Sequence, residues 1–180
     1  MGLTDNLKFL YDSTNESLRR EGRLWYPAAN EYFSQLANKY GLQPSKVMGV
    51  VAALSPFVGW KTQLDRTEAF IRDETQQRGT GRFPGFSRNI LNARLILHDL
   101  QPEQVLVGPK VRAFYQNLMG DTQILTLDRH AISAALGKKT LRVPLKLSQE
   151  ITEGYWNAAN TAREYPRDFQ AIIWLQWRQQ

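Results

Sequence analysis

The residues that point to chemistry lie in one segment, VLVGPKVRAFYQNLMGDTQILTLDRHAISAALG, from Val105 to Gly137. Gly108 permits a tight turn and Pro109 opens a helix, because proline lacks only a hydrogen that the first helical turn leaves unpaired. Lys110 follows in that first turn, where the helix dipole works against a cation. The helix is predicted to end near Gly120, and an irregular stretch leads to Asp128, placed to cap the next helix. Lys110 and Asp128 stand 18 residues apart. An amine and a carboxylate are the groups of covalent and electrostatic catalysis, and for Asp128 simple capping is the alternative.

Other chemistries find little support. The chain has no cysteine, which removes disulfides, thiolate-bound zinc and iron–sulfur clusters. Its two histidines, His98 and His130, show no metal-ligand spacing, so no metal or other cofactor is expected. Neither a signal-type apolar run nor a segment of about 18 apolar residues appears, so a cytoplasmic location without membrane contact is expected. For a protein encoded by a phage, that means the host cytoplasm, and association with the nucleoid fits the charge.

The net charge of +6 is unevenly spread. Residues 75–98 hold Arg78, Arg82, Arg88 and Arg94 without an acid. Residues 129–149 hold Arg129, Lys138, Lys139, Arg142 and Lys146, again without one. The rest of the chain is net acidic. Segregated positive charge is the footprint of a polyanion partner, although a generically basic, solvated surface is the simpler alternative.

Positioning these residues requires helices. Apolar residues recur at helical spacing and strict alternation is nearly absent, which predicts an all-α chain. The expected helices cover 3–20, 27–41, 44–55, 60–76, 86–99, 109–119, 129–137, 147–163 and 166–178, with prolines 27, 44, 109 and 166 at helix starts. The stretch 76–85 (QQRGTGRFPG) reads as an exposed loop. At 180 residues the chain suits one compact unit or two closely packed lobes.

The segment from Val105 to Gly137 resembles the hairpin and catalytic loop of the helix-hairpin-helix DNA glycosylase superfamily, the endonuclease III branch above all. Asp128-Arg129-His130 matches its Asp-x-His signature, and the Lys110 to Asp128 spacing resembles the family's own. Upstream, VMGVVAALSPFVGWKTQLDRTEAFI resembles the family's apolar helix and the loop that fills the gap left by a flipped base. The likeness covers roughly 44–137 and is closest to short, cluster-free relatives from phages and bacteria. It departs at Leu106, where the family's first hairpin glycine would stand, and at Val111-Arg112 after the lysine.

The resemblance implies a two-lobed, all-α helical bundle of the glycosylase type without an iron–sulfur cluster. One lobe would span about 44–140, and 1–43 with 141–180 would form the second. It implies a monomeric DNA N-glycosylase that flips an unusual base, such as a phage-type modified pyrimidine, out of double-stranded DNA and excises it. Asp128 would stabilise the cation developing on the sugar or activate the attacking nucleophile. Lys110, as a neutral amine, would attack C1′ and add strand-cleaving lyase activity; as a cation it would leave the attack to water.

Phe57 and Trp60 are then wedge candidates, Lys61 and Gln63 candidate contacts to phosphate or a base edge, and Trp25 and Tyr26 candidate pocket walls. Gly108, Arg112, Arg129, Lys138 and Lys139 would contact the DNA backbone, and His130 would contact the backbone or pack behind Asp128. Core packing is the alternative for each aromatic, and solvation for each cation. Trp174 and Trp177, spaced i, i+3, read as a core face. Two other readings compete: an enzyme of thymine hypermodification on phage DNA, pyrophosphorylase-like, and a non-catalytic DNA binder.

Overall fold

The computed structural model describes residues 2–56, 58–76, 83–140 and 145–179, and the chain is all-helical over them. Ten helices follow one another: α1 (Leu3–Asp12), α2 (Glu16–Tyr40), α3 (Pro44–Leu54), α4 (Trp60–Thr75), α5 (Ser87–His98), α6 (Pro102–Val105), α7 (Pro109–Leu118), α8 (Arg129–Leu136), α9 (Leu145–Ala162) and α10 (Pro166–Trp177). Phe57, Arg78, Arg82 and Arg142 lie outside the described residues.

The chain divides into two compact units, Met1–Ala28 with Gly120–Gln180, and Ala29–Met119. The expected division at 43/44 and 140/141 grouped the Asp128 helix with the hairpin. In the structure α8 packs on α1, α9 and α10 and so belongs with the terminal segments. Its apolar face, Ala131, Ala134 and Ala135, joins Leu7, Ile151, Tyr155, Phe169 and Ile172 in one core.

In this first unit the N-terminal helices do not break where proline suggested. Pro27 lies inside α2, on an exposed position where water can satisfy the carbonyl that its missing N–H leaves unpaired. The break falls at 13–15 instead. The Ser13 and Thr14 hydroxyls donate to the Leu10 carbonyl at 2.8 and 2.7 Å, and Asn15 Oδ1 accepts from the Leu18 N–H at 2.9 Å to start α2. Gly22 lets α2 lie directly on α10, since a Cβ there would sit 2.4 Å from Ile172 Cγ1 and 2.8 Å from its backbone. Glu164, largely buried, accepts from the Tyr11 hydroxyl and from Arg23 Nη2, both at 2.7 Å. Burial, with the Glu164 carboxylate beside it, raises the Tyr11 phenol above its ordinary range.

The second unit is built around α3, whose residues from Val47 to Leu54 are all buried, as expected for a helix that is apolar on every side. Helices α4, α5, α6 and α7 pack on it. Side chains close the helix ends that would otherwise leave orphan carbonyls. Gln63 Nε2 donates to the Val51 carbonyl at 2.8 Å, Lys46 to that of Leu100 at 2.6 Å, and Asn30 to that of Leu118 at 2.7 Å. Glu74, largely buried, bridges Arg94 at 2.8 Å and His98 at 3.2 Å, joining α4 to α5.

Candidate active site around Asp128

Asp128 is the N-cap of α8. Its Oδ1 accepts from the backbone N–H groups of both His130, at 2.9 Å, and Ala131, at 2.8 Å. Its Oδ2 accepts from no donor among the described residues. One oxygen therefore fixes the carboxylate while the other is presented, and the N-terminal dipole of α8 supports the negative charge. At the far end of α8, Gly137 adopts φ 64°, and Asn6 Nδ2 closes the helix by donating to the Ala135 carbonyl at 2.9 Å.

The segment leading into Asp128 is pinned to α10 at two points. The Arg167 N–H donates to the Thr122 carbonyl at 3.1 Å. Gln170, buried, uses both ends of its side-chain amide on Thr126: Oε1 accepts from the Thr126 N–H at 2.8 Å and Nε2 donates to the Thr126 carbonyl. The amide thus plays the part of a neighbouring strand and holds the backbone two residues before Asp128. Beneath α8, fully buried Tyr155 donates its hydroxyl to the Ala131 carbonyl at 2.9 Å. Burial, and then the charge of Asp128, push that phenol well above its ordinary value, so it serves as a neutral donor.

Around this carboxylate the expected contacts divide. Arg129 is exposed, and its Nε lies 3.3 Å from His130 Nε2 as a donor. Lys138 and Lys139 are exposed just beyond Gly137, as a backbone-contacting role needs. Tyr26 is buried, in edge contact with Trp25 at 4.7 Å, and Trp25 also meets Trp174 edge-on at 6.0 Å. Both therefore serve as packing groups, with only Trp25 partly exposed.

The remaining expected residues sit in the second unit, where each is described on its own. Lys110 occupies the first turn of α7, half-buried, and its amine has no ion-pair or hydrogen-bond partner among the described residues. The hairpin between α6 and α7 is braced by the Tyr115 hydroxyl, which donates to Glu103 at 2.9 Å. Gly108 caps α7 at φ −73°, so the bend there uses a backbone conformation open to any residue. An added Cβ would meet only Val111 Cγ2, at 3.4 Å. Leu106 is buried and fills the core. Arg112 and Lys61 are exposed.

Two expectations change. Gln63 is buried and spends its amide on the end of α3, so it is a capping group and does not reach a base edge. Trp60, expected as a wedge, packs edge-on against buried Phe33 at 6.0 Å and is only partly exposed. Among the described residues no group of three or more His, Asp or Glu side chains is placed to hold a metal ion. No helix among them is long and apolar enough to cross a membrane.

The chain belongs to a family of unknown function, DUF7178, whose match spans residues 2–180. No curated protein and no solved structure matches it. Sequence reasoning missed the residues that position Asp128, namely Gln170, Asn6 and Tyr155. A lone glutamine inside the apolar run FQAIIWL was the available signal, since a polar group on a buried helix face must find partners.

Proposed function

We propose that this protein is a DNA N-glycosylase of the helix-hairpin-helix type, with Asp128 as its central catalytic group and Lys110 as the second. The observation that carries this reading is the Asp128 carboxylate, fixed through Oδ1 on the N-terminus of α8 with Oδ2 left to act. Loss of a base builds positive charge on the sugar, and a carboxylate immobilised in advance stabilises that charge without reorganising as the bond breaks. The Asp-x-His signature, the 18-residue spacing from Lys110 and the segregated basic stretches support the same reading. Lys110 carries the amine that forms an imine at C1′ when it acts as nucleophile, and otherwise attracts the phosphates that flank the target.

The protein, incubated with genomic DNAs bearing different natural base modifications, releases free base from at least one of them. Asparagine caps a helix as well as aspartate does, so Asp128→Asn removes the charge and keeps α8 intact. That variant releases no base. An altered nucleoside in place of a free base would instead assign the chain to base hypermodification.

A further inference from the structure

Arg167 stands in the first turn of α10, beside the segment that leads to Asp128. Its side chain is 8% exposed, and Asp168 Oδ1 accepts from its Nε at 2.8 Å. The guanidinium carbon lies 5.4 Å from the Tyr26 ring centroid. A guanidinium has five N–H donors, and Nε uses one. The four on Nη1 and Nη2 have no acceptor among the described residues, yet neither nitrogen is sealed from solvent. A desolvated arginine held by its inner nitrogen, with its outer edge unspent, has the form of a recognition group: it presents a planar pair of donors in a fixed direction.

The surroundings select the acceptor. Asp168 is ion-paired to Arg167, and the charges of Glu164 and Arg23 also act on Asp168, so the four groups together carry no net charge. Burial raises the Asp168 carboxyl above its ordinary range despite the adjoining guanidinium. A phosphate dianion gains little from a balanced cluster and is repelled by the neighbouring carboxylates. A neutral, planar group with two adjacent acceptors escapes that repulsion and still takes both hydrogen bonds.

We propose that the Nη edge of Arg167 recognises a nucleobase with two adjacent in-plane acceptors, the N3 and O2 of cytosine or the O6 and N7 of guanine, and discriminates against thymine. Thymine fails because a ring N–H donor separates its two carbonyls, so one arginine cannot take both. This inference rests on reading the chain as an enzyme that acts on DNA bases. It narrows the substrate to cytosine-type or guanine-type bases and their modified forms.

The test uses the whole chain with dCMP, dGMP, dTMP, dAMP and inorganic phosphate as probes, followed through the side-chain 1H–15N resonances of Arg167. The expected result is a shift with dCMP and dGMP, and binding about tenfold tighter than for dTMP, the size of discrimination that a good bidentate contact gives. Arg167→Lys keeps the positive charge and loses the fork, and it removes the preference while circular dichroism stays unchanged. Equal responses to all four nucleotides, or an equal response to phosphate alone, overturn the proposal. Should Arg167→Lys fail to fold, the wild-type Arg167 resonances decide the question by themselves. A chain that releases no base from any DNA yet prefers dCMP and dGMP overturns the glycosylase reading and leaves this inference standing. Base release without any nucleotide preference sinks this inference alone.

Discussion

Replacing Gln170 isolates the device that holds Asp128 in place. In Gln170→Leu, the Thr126 N–H loses its Gln170 acceptor, while the Thr126 carbonyl loses the amide but keeps the Asp128 N–H at 2.9 Å, in a residue only 7% exposed. Leaving one buried polar group unsatisfied costs about 1–3 kcal/mol, a sizeable part of the roughly 5–15 kcal/mol that holds a domain folded. Urea denaturation reads this as a lower midpoint at unchanged slope.

Gln170→Glu gives the sharper result. An ionised carboxylate still accepts from the Thr126 N–H but faces the Thr126 carbonyl, whereas the protonated acid donates to that carbonyl as the amide does. Burial and the carbonyl therefore raise the pKa of the new acid in the folded state, and the folded state binds more protons than the unfolded chain. The stability of this variant is then greatest below the ordinary glutamate value of about 4.3 and falls as pH rises towards the raised folded value. A Gln170→Leu loss below about 0.5 kcal/mol, the size of an ordinary surface change, would refute the reasoning. So would a Gln170→Glu stability profile that parallels the wild type from pH 4 to 7.

Gly22→Ala places a methyl group 2.4 Å from Ile172 Cγ1 and should cost about 1–3 kcal/mol, or more where the Ile172 backbone must move, read as a lower thermal midpoint. Asp128→Ala loses the α8 cap and should cost about 1 kcal/mol in urea denaturation, while Asp128→Asn stays near wild type. Lys138→Gln and Lys139→Gln alter exposed side chains, so they should leave the melting temperature unchanged. Each should lower the slope of log binding constant against log salt by about 1 on duplex DNA.

Helix positions were legible where the sequence carried punctuation. Pro44, Pro109 and Pro166 open α3, α7 and α10, and Asp128 and Gly137 bracket α8 as cap and left-handed terminus. Pro27 misled because a proline on the exposed side of a long helix loses a bond that water replaces, and the helix continues through it. The short α6 was missed, since four residues carry no period. Asp128 and Lys110, the residues proposed to act through their own type, could be singled out from spacing. Gln170 and Asn6 could not, because each matters only through a partner far away in the chain, and folding alone brings those partners together. Gln63 was misread for the same reason: the carbonyl it caps lies twelve residues earlier.

The most direct test of the account is chromatography and mass spectrometry of the small molecules released when the protein acts on genomic DNAs carrying different natural base modifications. The account predicts a free base from at least one DNA with the wild-type protein, and none with Asp128→Asn, whose melting temperature stays that of the wild type. No free base across the whole panel, or equal release by Asp128→Asn, would contradict it.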